Sequence, residues 1–342
     1  MKEKRNFDLL TLGQVLLRLS PPNNDRLVRG DTFVKQVGGA ELNVAVGVAL
    51  LGLRTGVISK LPSHDMGSFM KGKIRSYGVS DDFFMYDDSP SARVGIYYYE
   101  NGAYPRKPKV IYDRANSSFY SLKIDEIPEK AYTASRCFHT SGITLALSPK
   151  VRETAIEMIK RFKAAGTLVS FDVNFRGNLW TGEEAKECIE QILPYVDIFF
   201  CSEDTARLTF KKTGTAREMM KSFTEEYPIS IVASTQRIVH SPKSHTFGSI
   251  IYDARKDIYY EEEPYRDIDV VDRIGSGDAY ISGALYGLLT SDFDCEKAVR
   301  YGNATSAVKN TIPGDLPSSD LEEIETIIKA HNQTGFQSEM AR

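Results

Sequence analysis

The densest set of groups able to do chemistry lies in nine consecutive residues, Asp272-Arg273-Ile274-Gly275-Ser276-Gly277-Asp278-Ala279-Tyr280. They follow an extended run, Asp267–Val271, and open a helical pattern whose apolar positions are Ala279, Ile281, Ala284, Leu285 and Leu288. Gly275 and Gly277 allow a tight turn and a close backbone approach to a ligand. The helix start leaves unpaired N–H groups and the positive end of a dipole, which suit a phosphate or a developing oxyanion. Asp278, in the same turn, can take a proton from a hydroxyl brought up beside that phosphate. An anion hole formed by Gly275, Ser276 and Gly277, with Asp278 as base, predicts phosphoryl transfer. The plainer reading of the same residues is a turn with an Asp cap. A dinucleotide fingerprint is excluded because Tyr280 stands where its third glycine is needed, and a P-loop because no Lys-Ser/Thr pair follows.

The surrounding pattern shows what would position this turn. Strands are expected at Phe7–Leu12, Val57–Leu61, Cys137–Ser141, Leu168–Asp172, Ile198–Cys201 and Ile229–Ser234. Helices are expected at Ala40–Leu51, Met66–Tyr77, Pro149–Ala165, Glu183–Leu193, Ala216–Glu226, Gly277–Leu289, Asp294–Asn310 and Ser319–Ala330. This alternation predicts an α/β fold with a doubly wound, mostly parallel sheet. An antiparallel pair, Ser249–Asp253 and Ile258–Glu262, leads into the turn. Extended segments at 15–19 and 32–37, with a hairpin of Val94–Tyr99 and Lys109–Tyr112, lack intervening helices and predict a small β-sheet lid. Its inserted segments span about 14–37 and 91–115 of a single domain over residues 1–330, with 331–342 a disordered tail. Ligands of such a sheet gather at the carboxyl ends of its strands. Asp172-Val173-Asn174-Phe175-Arg176 follows one strand and Ser202-Glu203-Asp204 another. They offer a cation for phosphates and oxygens for Mg²⁺, or else ordinary helix caps. Gly67-Ser68-Phe69-Met70-Lys71-Gly72-Lys73-Ile74 almost spells a P-loop. Ile74 replaces the metal-binding hydroxyl, so the stretch is read as helix.

Composition narrows the class. The 342 residues are 42% hydrophobic, ample for a core, and the net charge of −3 with a pI near 6.0 argues against nucleic acid. The charged start leads straight into a strand, which predicts no signal peptide, and no apolar run reaches a membrane-spanning length. Cys137, Cys188, Cys201 and Cys295 are widely spaced and are expected as buried thiols in a reducing cytoplasm.

Two longer matches carry a resemblance. Gly38-Gly39-Ala40-Glu41-Leu42-Asn43-Val44-Ala45 and Asp272 through Ala279 resemble the two signatures of the ribokinase-like (PfkB) carbohydrate kinases. The likeness runs from about residue 7 to about 330. Shorter stretches resemble the 2-keto-3-deoxygluconate kinase branch: Gly13–Pro21, Tyr112-Asp113-Arg114-Ala115, Ser141-Gly142-Ile143, Phe171–Arg176 with Leu179-Trp180, and Asn310–Asp315. The resemblance implies ATP-dependent phosphorylation of the primary hydroxyl of a keto-deoxy sugar acid, with ATP, Mg²⁺ and a monovalent cation as candidate cofactors. It implies a sugar site at Gly38, Gly39, Asn43, Tyr97, Tyr112, Arg114 and Arg176, the two arginines suiting a carboxylate. A nucleotide side at Ser202, Ser234, Arg237, Gly275, Gly277, Asn303 and Gly314 is also implied, with Asp172 and Glu203 toward metal. A homodimer or larger assembly through the lid is expected. The chain departs from the family at its Asn-x-x-Glu element, where Ser202 and Thr205 stand. Ser234-Thr235-Gln236-Arg237 is read as a nucleotide-loop turn lacking the usual glycine. Neutral-sugar kinases (fructose, ribose) and a catalytically silent sugar-binding sensor are the alternative readings.

Overall fold

A computed structural model describes residues 5–331 of the chain. The strands are β1 (Phe7–Leu12), β2 (Leu16–Ser20), β3 (Val34–Gly38), β4 (Thr55–Pro62), β5 (Ser80–Asp87), β6 (Gly95–Glu100), β7 (Lys109–Asp113), β8 (Ser135–Ser141), β9 (Leu168–Asp172), β10 (Ile198–Phe200), β11 (Ile231–Ser241), β12 (Ser244–Asp253), β13 (Ile258–Glu261) and β14 (Tyr265–Asp269). The large sheet runs in the order β13-β12-β11-β10-β9-β8-β1-β4-β5, with β14 paired to β12. From β11 to β5 every pairing is parallel, and the β11–β12, β12–β13 and β12–β14 pairings are antiparallel. A second sheet, β3-β2-β6-β7, forms the lid; the expected lack of intervening α-helices holds for its antiparallel pairs β2–β3 and β6–β7, whereas β2 and β6 pair in parallel across helices Ala40–Leu50 and Asp65–Ser76. This is the expected α/β architecture.

Both faces of the parallel strands are buried, so neighbouring residues feed opposite cores. Leu9, Ile198 and Ile231 pack beneath one helical layer; Leu10, Phe199 and Val232 pack beneath the other. Helices Ala40–Leu50 and Ser276–Thr290 lie together on the first face and are apolar nearly all round, because a sheet and a second helix cover both sides of each. The order of strands reverses between β1 and β8, and the carboxyl ends of β1, β8, β9 and β10 meet there.

Several expectations shift. Strand β5 is not among those expected from the sequence. This edge strand buries Phe83 and Phe84 but carries acids elsewhere, so its apolar run is short. The expected Ile229–Ser234 and Ser249–Asp253 strands extend into a long hairpin. Ser234-Thr235-Gln236-Arg237 is therefore strand rather than turn, paired opposite Ile250 through Phe247. Positions 236–240 of this strand are all exposed, so they carry no alternation of buried apolar residues to mark them as strand. The near-P-loop is helix throughout, within Asp65–Ser76, and Lys71 pairs with Asp81 at 3.3 Å. Helix Leu321–His331 takes in the first residue of the expected tail; residues 332–342 lie outside the described residues. All four cysteines are buried free thiols. No helix among the described residues is long and apolar enough to cross a membrane.

Candidate active site

A cleft of about 460 Å³ opens where the lid meets the carboxyl ends of the strands. Its floor is the Gly275–Asp278 turn. Gly275 caps helix Ser276–Thr290 in the left-handed conformation, φ 81°, and a Cβ there would strike the carbonyl of Asp315. Gly277 is different: a Cβ would meet nothing within 4 Å, so its missing side chain leaves open cleft above the first helical amides. No side chain caps this helix start, which leaves its N–H groups available to an anion.

Asp278 faces this space. Asn43 Nδ2 donates to its Oδ2 at 2.7 Å, from a helix 235 residues earlier. Burial pushes the carboxyl up to about 7, against the lowering effects of Asn43 and Arg176. Asp172, at the end of β9, is likewise raised by burial to about 7, and the neighbouring Asp278 charge adds to the rise. Two carboxyls close to neutrality in one cleft are poised for proton transfer.

Toward the lid lies a second group of polar side chains. Arg114 is buried, with Nε donating to Gln14 Oε1 at 2.8 Å and its guanidinium 5.6 Å from the centre of the Tyr112 ring. Among the described residues it has no ion pair, and burial lowers its pKa. Arg176 lines the cleft from the β9 loop and, among the described residues, donates only to the Phe175 carbonyl, at 3.3 Å. Gly39, φ 134°, brings the backbone against the Gln14 carbonyl, where a Cβ would collide. Glu41, not singled out from the sequence, is buried at the start of helix Ala40–Leu50. It accepts from Ser141 Oγ at 2.6 Å and Thr144 Oγ1 at 2.7 Å, and burial raises its pKa. An acid in the first turn of a largely apolar helix was its only signal.

The nucleotide expectations divide. Ser202, Arg237, Gly275 and Gly277 line the cleft, and Thr205, Thr235 and Arg273 join them. Ser202 caps helix Glu203–Leu208 and donates to Thr205 Oγ1 at 2.9 Å. Three expected residues lie elsewhere. Asn303 accepts from Ser249 Oγ at 2.7 Å and donates to Glu262 Oε1 at 3.1 Å, the Gly314 amide donates to Asp272 Oδ2 at 3.1 Å, and Ser234 is buried in β11 outside the lining. Glu203 turns away to pair with Arg207 at 2.8 Å, so of the two acids assigned toward metal only Asp172 is at the cleft.

Two sugar-site expectations also change role. Gly38 packs against Asp315, where a Cβ would collide with the carboxylate. The Tyr97 hydroxyl donates to Asp315 at 2.5 Å, which leaves its ring to line the cleft. Asp315 belongs to a buried network that sequence reasoning missed. Arg18 Nη1 reaches Asp315 Oδ1 at 2.7 Å and Nη2 reaches Asp272 Oδ2 at 2.5 Å, while Asp272 Oδ1 accepts from the Ile274 amide at 3.0 Å. The first residue of the turn is thus its anchor.

Oriented amides beside a carboxyl base suit transfer of a phosphoryl group to a hydroxyl, and a lidded cleft of this size suits a small acceptor. Fold and site together define a small-molecule kinase. The chain belongs to the pfkB family carbohydrate kinases, whose family model matches residues 6–320. It is 34% identical over 322 residues to 2-dehydro-3-deoxygalactonokinase of Haloferax volcanii, covering 94% of this chain and 96% of that one. It is 28% identical to 5-dehydro-2-deoxygluconokinase of Listeria monocytogenes, over 95% and 97%. Among solved structures, 2-dehydro-3-deoxygluconokinase of Thermotoga maritima superposes with a TM-score of 0.89 at 32% identity, covering 94% of this chain and 99% of that one.

Proposed function

We propose that this kinase transfers the terminal phosphoryl group of ATP to the primary hydroxyl of a 2-keto-3-deoxy sugar acid, most directly 2-keto-3-deoxygluconate. The observation that carries the reading is the pairing of Asp278 and its anion-hole turn with two cleft arginines, Arg114 and Arg176, that have no carboxylate partner among the described residues. A sugar carboxylate is the natural counter-ion for them. The names of the three relatives reported above, each a kinase of a keto-deoxy sugar acid, point the same way.

In this reading the sugar lies between Gly39 and the lid, with its acid end on Arg114 and Arg176 and its primary hydroxyl at Asp278. Asp278, held by Asn43, orients the hydroxyl and accepts its proton. Because an alcohol is far less acidic than a carboxyl, that transfer comes late, as the phosphorus–oxygen bond forms. Amides of Gly275, Ser276 and Gly277 meet the charge on the transferring phosphoryl oxygens. Arg237 and Arg273 supply positive charge for the polyphosphate, next to Ser202, Thr205 and Thr235. Mg²⁺ fits a site of this composition if the nucleotide and water provide most of its ligands: Asp172 offers a carboxylate, and no cluster of three metal-binding side chains occurs among the described residues. When bound, the ion would neutralise phosphate charge. The exposed apolar side chains of the lid, including Phe33 and Ile111, support a homodimer through that sheet.

The test is ADP release over a panel containing both C4 epimers of the keto-deoxy hexonate, fructose and ribose. The acids should be turned over in preference to the neutral sugars, and Asp278→Asn should lose on the order of 10²–10⁴ in rate while sugar binding survives. Preference for fructose or ribose would replace this reading with the neutral-sugar one. A chain that binds sugars yet releases no ADP would replace it with a silent sensor.

A further inference from the structure

Lys309 is a buried cation that the proposed mechanism does not use. It sits in the last turn of helix Cys295–Asn310, with 1% of its surface exposed. Its ammonium donates to two main-chain carbonyls, Asp272 at 3.3 Å and Ile312 at 3.1 Å. Among the described residues no carboxylate oxygen lies within 4.0 Å of it. Burying an ammonium without a directly bonded anion is costly, and a lysine stem long enough to reach water would ordinarily do so.

The position of those carbonyls gives the lysine a task. Asp272 begins the turn whose amides form the anion hole, and Ile312 begins the loop that leads to Asp315. The two segments already touch: Val271 and Asp272 donate their amides to the Asn310 carbonyl, and Gly275 rests against the Asp315 carbonyl. Lys309 adds a charged tie between them. It also completes a charge balance. Behind the turn lie two carboxylates, Asp272 and Asp315, and two cations, Arg18 and Lys309. Burial pulls the Lys309 pKa down, and the nearby Asp272 and Asp315 charges pull it back up.

A monovalent ion is the other species that binds dehydrated main-chain carbonyls in this way. Family resemblance allows one as a cofactor, but the carbonyls behind the anion hole are already taken. We infer that Lys309 is a tethered substitute for a monovalent cation, a positioning residue that holds the anion-hole turn on the 311–315 loop and makes the enzyme independent of added K⁺ or Na⁺. This inference rests on the kinase reading for its catalytic consequence and on the carbonyl geometry alone for its structural one.

The experiment compares wild type, Lys309→Ala and Lys309→Met in choline, sodium, potassium, ammonium and methylammonium chlorides at equal ionic strength. Melting temperature without substrate is one readout, and kcat and KM for the sugar acid the other. Wild type should melt and turn over alike in choline and potassium. Lys309→Ala should melt lower and lose on the order of 10² in kcat, with KM little changed, and methylammonium or potassium should restore both. Lys309→Met, whose stem fills the space, should show the same losses without rescue. Activation or stabilisation of wild type by potassium overturns the inference, as does a Lys309→Ala chain that no cation restores or folds. The melting series decides the matter even if no sugar acid is a substrate, so the two readings fail separately.

Discussion

At the scale of single residues, Asp278 is held at a tension between burial and its neighbours. Burial raises its carboxyl to about 7, and the Asn43 amide pulls in the other direction by bonding the charged form. A base must be ionised, so kcat/KM should fall as pH drops through about 7. Asp172 titrates in the same range and feels the Asp278 charge, so the acid limb belongs to the pair. Asn43→Ala removes the bond that favours the ionised base and should move this limb to higher pH. A pH–rate profile checks it, and an unmoved limb would show that Asn43 does not tune the base. Stability has its own sign. A carboxyl raised in the folded chain binds its proton more tightly there than when unfolded, so folding weakens as pH rises from about 4 to about 7. Asp278→Asn should accordingly raise the melting temperature more at about pH 8 than at about pH 5.

At the scale of elements, the catalytic turn is anchored from outside its own helix. Arg18 on β2 of the lid sheet bonds both Asp272 and Asp315, and its guanidinium lies 4.4 Å from the centre of the Tyr99 ring on β6. One side chain thereby joins the lid, the turn and the 311–315 loop. Breaking a buried charge network by removing one partner typically costs about 3–5 kcal/mol, because the partners stay buried and unpaired. Arg18→Ala should lower unfolding stability in urea by about that amount, and it should depress kcat more than KM because the turn loses its anchor. A wild-type urea midpoint would mean that the lid is not coupled to the turn in this way.

At the scale of the whole molecule, the lid presents an edge strand, β7, and apolar side chains that the cleft does not use. Ile111 is 48% exposed, and Phe33 on the segment before β3 is 43% exposed. An unpaired edge with such a face invites a second copy. Sedimentation of the wild-type chain should therefore give a dimer or larger assembly. Ile111→Glu should shift it to monomer, because a carboxylate cannot be desolvated against that face without a partner. A wild type that sediments as a monomer removes the proposed assembly.

The sequence by itself determined the features that depend on near neighbours along the chain. The turn at Gly275–Asp278, the two-glycine approach at Gly38-Gly39, and the alternation of strand and helix follow from local dihedral freedom and from periodicity within a dozen residues. The same signals located the cleft side of the sheet and Asp278 on it; Asn43, Arg114 and Arg176 were placed there by the family resemblance, and all four line the cleft. Partners were decided by the tertiary structure. Arg18 meets Asp272 and Asp315 across 254 and 297 residues, and nothing in the spacing of a buried arginine names the acids it will find. The same ignorance of partners explains the residues that moved out of the site. Asn303, Gly314 and Glu203 each carry a polar group suited to a ligand, but the fold offers each an internal partner: Ser249 and Glu262, Asp272, and Arg207. A polar group bonds whatever the topology brings within reach, and only the folded chain settles what that is.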